Sequence, residues 1–99
     1  MKDINAGEMI SRLQNGEKLN LLDVREKLEY HTYNIGGKNI PLHELKENFG
    51  QLEWPKNDEI IVICKAGIRS ATAKSLLEVN GYKNIRNLTG GLLAVQREQ

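Results

Sequence analysis

At 99 residues, with 39% hydrophobic and 27% charged side chains, the chain is long enough for one small packed core and has the balance of a soluble globular protein rather than a disordered or fibrous one. Fourteen Lys plus Arg against thirteen Asp plus Glu leave a net charge of +1, without the basic field that nucleic acid or an anionic membrane surface would need. A single cysteine closes no intrachain disulfide, no apolar run nears the ~18 residues of a membrane span, and the charged opening MKDINAGEMISRL is unlike a signal peptide, so the reading is one domain, residues 1–99, in the cytoplasm.

Along the chain the elements alternate, with no repeat and no Gly/Ser/Pro-rich linker to divide it. Asn5 with Glu8 three residues on predicts a helix start; Met9, Ile10 and Leu13 share one face, and Asn15-Gly16 predicts the stop. LNLLDV, residues 19–24, reads as a buried strand ending near Asp23, and a second helix is expected from about Glu26 to His31. Gly36-Gly37 marks a turn before a brief extended piece through Asn39 and Ile40. Pro41 opens a helix in which Leu42, Leu45 and Phe49 keep helical spacing until Gly50. After a polar connection broken by Trp54-Pro55 comes IIVI, residues 60–63. So continuous a β-branched run predicts a strand covered on both faces. Ala73, Leu76 and Leu77 predict a helix after Ser70, capped at Asn80-Gly81. Ile85 to Leu88 predicts a further strand, followed by TGG and a short helix around Leu92 to Gln96. Strand alternating with helix predicts a parallel α/β sheet with helices on both faces.

In such sheets ligands bind beyond the carboxyl ends of the strands, and Cys64 stands at one. The chain then turns through Lys65, Ala66, Gly67, Ile68 and Arg69 toward a helix beginning near Ser70. The sulfur is therefore expected to face backbone N–H groups and the positive pole of that helix. Gly67 lets the loop curl with its amides inward, and Lys65 and Arg69 add positive charge. All three influences favour the thiolate, which is the nucleophilic form. A lone buried cysteine is more often a small hydrophobe than a nucleophile. Strand end, glycine, arginine and helix start together point instead to an anion-cradling loop, C-x-x-G-x-R-S.

Over nearly its whole length the chain resembles a single-domain rhodanese, of a sulfurtransferase family. The resemblance rests on LLDVRE at 21–26 with Glu29-Tyr30 following, NIGGKNIPL at 34–42, IIVICKAGIRS at 60–70 and GYKNIRNLTGGLLAV at 81–95, four blocks in the family's order. It implies the rhodanese fold, a five-stranded mostly parallel sheet between helices, with Cys64 accepting sulfane sulfur as a persulfide. It also implies that the amides from Lys65 to Ser70 hold the outer sulfur, that Arg69 closes the loop, and that Asp23 and Arg25 brace the site from a neighbouring strand end. Two departures concern packing: many relatives have proline-glycine at Gly36-Gly37 and tryptophan at Val95.

Other chemistry fits less well. His31 and His43 sit in polar surroundings that suit solvated surface better than a catalytic base, and with Cys64 they lack metal-ligand spacing. No metal and no cofactor is expected. Tyr30, Tyr33 and Trp54 are too dispersed to stack bases. Two rival functions are a cysteine-dependent phosphatase or arsenate reductase and a non-catalytic rhodanese-like binding module. Phosphatase loops place five residues between cysteine and arginine, whereas this chain has the four from Lys65 to Ile68; inactive modules have usually lost the cysteine kept here. The function expected is sulfur transfer from a donor such as thiosulfate to cyanide, a small thiol or a protein cysteine through Cys64, with no nucleic acid or membrane as partner.

Overall fold

The computed structural model describes residues 2–98; Met1 and Gln99, the ends of the expected 1–99 domain, lie outside the described residues. Nine regular elements follow in order: α1 (Ala6–Gln14), β1 (Leu21–Asp23), α2 (Lys27–Thr32), β2 (Lys38–Asn39), α3 (Leu42–Leu45), β3 (Ile60–Ile63), α4 (Ile68–Val79), β4 (Ile85–Asn87) and α5 (Gly91–Glu98). A turn of 3-10 helix, Phe49–Gln51, lies between α3 and β3.

The strands form one sheet in the order β2-β1-β3-β4, every pair parallel. The resemblance implied five strands; among the described residues four are present. At the outer edge of β4 Ile4 makes one parallel bridge to Leu88, its N–H donating to Asn87 O at 3.0 Å and its carbonyl accepting from Thr89 N–H at 2.9 Å. That edge extends no further because Asn5 caps α1 at once, its side chain accepting from Glu8 N–H at 2.8 Å.

Helices cover both faces, as the IIVI run predicts. All four residues of β3 are inaccessible, with alternate side chains divided between two cores. Ile60, Val62 and Cys64 pack with Leu22, Val24, Leu45, Ala73, Leu77 and Tyr82 beneath α3 and α4. Ile61 and Ile63 pack with Ile4, Met9, Leu88, Leu92 and Val95 against α1 and α5. At about 25 cal/mol per Å² of apolar surface removed from water, each buried Leu, Ile, Val or Met among these contributes roughly 1.5–3 kcal/mol before conformational entropy is set against it.

Two helices depart from expectation. The helix opening at Pro41 ends at Leu45 and does not run to Gly50. Asn48 takes a non-helical conformation while its side chain donates to Glu44 O, and Phe49 is carried in the 3-10 turn against Tyr82. Helix α4 begins at Ile68, two residues before the expected Ser70, which brings Ser70 into its first turn. Helix α2 buries none of its residues and forms a lip at the carboxyl end of β1.

Candidate active site

The loop from β3 into α4 closes on the Cys64 sulfur. Gly67 adopts φ +95°, a left-handed conformation, and its N–H donates to Sγ at 3.1 Å. One helical turn on, Ser70 N–H reaches Sγ at 3.3 Å and Ser70 Oγ lies 3.2 Å away. Cys64 and Ser70 are both buried. Burial pushes the thiol up, but the Ser70 hydroxyl and the amides of Ser70, Gly67 and Ala66 outweigh it, leaving Cys64 below the ordinary thiol value.

The loop rests on the turn between β4 and α5. Leu92 N–H donates to Cys64 O and Leu93 N–H to Lys65 O, each at 3.0 Å. Gly91 makes that approach possible, because a Cβ there would stand 2.4 Å from Lys65 O and 2.5 Å from Cys64 O. On the other side, Asn87 donates through Nδ2 to Gly67 O at 3.1 Å.

The cations behave differently from one another. Arg69 turns across to α2, where its guanidinium forms a two-pronged ion pair with Glu29 at 2.7 and 3.0 Å. Arg69 hydrogen bonding holds the Glu29 carboxyl at about 2, against an ordinary value of 4.5. Arg25 is buried against Asp23, with Nε at 3.0 Å and Nη2 at 2.8 Å, and also donates to Glu29 O and Tyr33 O. This pair ties the end of β1 to both ends of α2. Lys65 is exposed and lines a cleft of about 490 Å³ with Arg25, Glu29, Tyr33, Leu92 and Leu93.

Comparison with known proteins gives these features a context. The rhodanese-like domain pattern matches residues 5–98. The chain belongs to the rhodanese-like family. It is 40% identical over 72 residues to the thiosulfate sulfurtransferase PspE of Escherichia coli, covering 72% of this chain and 68% of PspE. It is 38% identical over 82 residues to the putative sulfur carrier protein YrkF of Bacillus subtilis, 82% of this chain but 43% of YrkF. Among solved structures, a rhodanese-like domain protein from Staphylococcus aureus superposes with a TM-score of 0.85 at 30% identity, over 96% of this chain and 91% of that one. The human single-domain sulfurtransferase TSTD1 gives 0.84 at 27%, over 98% and 96%. The chain spans less than half the length of YrkF, and 24% of the adenylyltransferase/sulfurtransferase MoeZ of Mycobacterium tuberculosis.

Within this rhodanese-like fold the predicted residues take distinct places. Gly67 and Ser70 face the sulfur, whereas the side chains of Lys65, Ala66 and Ile68 lie at the exposed surface and that of Arg69 is engaged by α2. Asp23 and Arg25 hold α2 and do not touch the sulfur. Three contributors escaped sequence reasoning. Glu29 carried a signal within the LLDVRE block's continuation, and Gly90-Gly91 carried one as a paired glycine. Asn87 carried none, since an asparagine ending a strand has many uses.

Proposed function

We propose that the chain is a sulfurtransferase that carries sulfane sulfur on Cys64. The observation supporting this most is the convergence of Gly67 N–H, Ser70 N–H and Ser70 Oγ on one buried sulfur atom. With thiosulfate as donor, the Cys64 thiolate attacks the outer sulfur. A sulfur–sulfur bond forms to Sγ as the bond to the sulfonate sulfur breaks, and sulfite leaves with the electron pair. An acceptor such as cyanide, a small thiol or a protein cysteine then attacks the outer sulfur and restores the thiolate. The loop amides stabilise the anionic sulfur at each stage. Lys65, exposed on the loop and, among the described residues, without a carboxylate partner of the kind Glu29 gives Arg69, adds positive charge that helps neutralise the departing anion. Asp23 and Arg25 act at a distance by fixing α2. No metal or cofactor enters these steps. A reduced compartment such as the cytoplasm suits the single free thiol, and among the described residues no helix is long and apolar enough to cross a membrane.

Intact-mass spectrometry after thiosulfate treatment tests the reading. One added sulfur mass, removed by cyanide and absent from Cys64→Ser, is expected. A serine variant that still gains the adduct overturns the assignment. Native protein that cleaves an aryl phosphate through Cys64 and forms no persulfide puts a phosphatase in its place.

A further inference from the structure

Ser70 Oγ stands between two groups that can each accept its hydrogen, Cys64 Sγ at 3.2 Å and Asn87 Oδ1 at 2.5 Å, and they compete for it once the sulfur is a thiolate. A serine hydroxyl has one hydrogen to give. The Asn87 amide cannot turn over to resolve the conflict, since Nδ2 donates to Gly67 O and a reversed amide would set oxygen against oxygen. Cys64, Ser70 and Asn87 are all buried, so a group left without its hydrogen bond is penalised in full.

We propose that Asn87 is a positioning residue that draws the Ser70 hydroxyl hydrogen away from Cys64, so that thiolate formation requires this hydrogen to pass from Asn87 Oδ1 to Sγ. In the thiol form, S–H donates to Ser70 Oγ, which donates to Asn87 Oδ1, and every group is satisfied. When the thiol proton leaves for water, Sγ has nothing to donate and must accept. The hydroxyl then rotates toward sulfur, and Asn87 Oδ1 loses its donor. The thiolate therefore gains one charge-assisted hydrogen bond while the amide gives up a neutral one. Asn87 opposes ionisation through Ser70, while the two amides on Sγ favour it. The loop holds a thiol that ionises more readily than a free cysteine and less readily than its amides and hydroxyl alone would make it.

The inference deepens the reading of Cys64 as the reacting thiol, and alkylation tests it independently of sulfur transfer because iodoacetamide reports the thiolate whether or not the chain carries sulfur. The rate is measured against pH for the native chain, Ser70→Ala, Asn87→Ala and the double variant. Ser70→Ala removes the donor and is expected to move the profile up by about half to one pH unit, the worth of one hydrogen bond. Asn87→Ala releases the hydroxyl to the sulfur and is expected to move it down by about the same amount, with alkylation several-fold faster below the native midpoint. In the Ser70→Ala background Asn87→Ala is expected to change nothing, because no hydrogen remains to be contested.

A residue that merely props up Gly67 behaves otherwise: its loss raises the profile, and does so equally with or without Ser70. Either result, or no shift in Asn87→Ala, overturns the proposal. Should thermal melting show Asn87→Ala unfolded, Asn87→Leu, closer in volume, carries the same expectations.

Discussion

Strand β3 has an acid at each end, Glu59 before Ile60 and Cys64 after Ile63, and the fold holds both below their ordinary values by opposite means. At the amino end, formal charges do it. Arg12 bonds the Glu59 carboxylate at 2.7 and 2.8 Å and Arg86 bonds it at 3.0 Å, tying α1 and β4 to the strand. At the carboxyl end, burial opposes the thiolate, and a hydroxyl and backbone amides reverse its effect. Arg69 and Arg25, the guanidinium groups nearby, are already occupied by Glu29 and Asp23. Long charged side chains at a surface join elements together, but they move and are screened by salt. Amides fixed by the course of the backbone do neither, which suits the role proposed for Cys64.

The contrast breaks most severely at Gly91. Its φ of +60° and the 2.4 Å from its virtual Cβ to Lys65 O leave no room for a side chain. Gly91→Ala is expected to cost about 3 kcal/mol and to abolish persulfide formation by displacing the loop. Gly16, near the other end of the sheet, also has positive φ (+85°), but nothing lies within 4 Å of its virtual Cβ. Gly16→Ala is expected to cost only the backbone strain, about 1 kcal/mol, with persulfide formation intact. Thermal melts and intact-mass measurement on both variants check this; equal losses of sulfur loading would mean that close approach at Gly91 is not what shapes the loop.

A smaller effect is expected at the amino end. Glu59→Gln leaves the Arg12 and Arg86 guanidinium groups without their carboxylate and is expected to cost about 1–2 kcal/mol at neutral pH. Because the Glu59 pKa is depressed by folding, its ionised form favours the folded state. That contribution is complete above the unfolded value near 4.5 and fades as pH falls through the lower folded value. Urea unfolding of native and variant chains should thus converge in acid, while the Cys64 alkylation profile stays in place. A profile that moved with Glu59 would show the two ends to be coupled through β3.

Much of this division was legible in the sequence. An IIVI run with no polar interruption can only be covered on both faces, and a cysteine following it must emerge where parallel sheets open. The capping pair Asn5 and Glu8 and the stop at Asn15-Gly16 depend on neighbours in sequence, so they could be read locally. The ion pairs could not: Arg12 meets Glu59 and Arg69 meets Glu29 only after the strands are in register. Arg69 illustrates the point best. Its place in the loop implied positive charge near the sulfur, but not that Glu29, forty residues away in sequence, pairs with its guanidinium. The shortened α3 was hidden for a related reason, since Phe49 has the right spacing for a helix but finds Tyr82 from a 3-10 turn.

The smallest expected effect tests whether the cations matter to the thiolate at all. Glu29→Gln removes the carboxylate that neutralises Arg69, so the freed guanidinium is expected to lower the Cys64 profile by roughly a few tenths of a pH unit. Arg69→Gln leaves Glu29 negative near the loop and is expected to raise it by a similar amount. The double variant should return close to the native profile. Because both side chains are about one-third exposed, at 33% and 35%, these shifts are expected to shrink as salt is raised, while the shift from Ser70→Ala persists. The pair also has its own signature in stability. Glu29 is held at about 2 against 4.5, so its ionised form stabilises the fold above pH 4.5 and that share is lost between 4.5 and about 2; Arg69→Gln should flatten the acid limb there. A Cys64 profile that moves by a full pH unit in Arg69→Gln, and loses that shift in salt, would make the carboxyl end of β3 a charge-driven site like the amino end and remove the distinction between them.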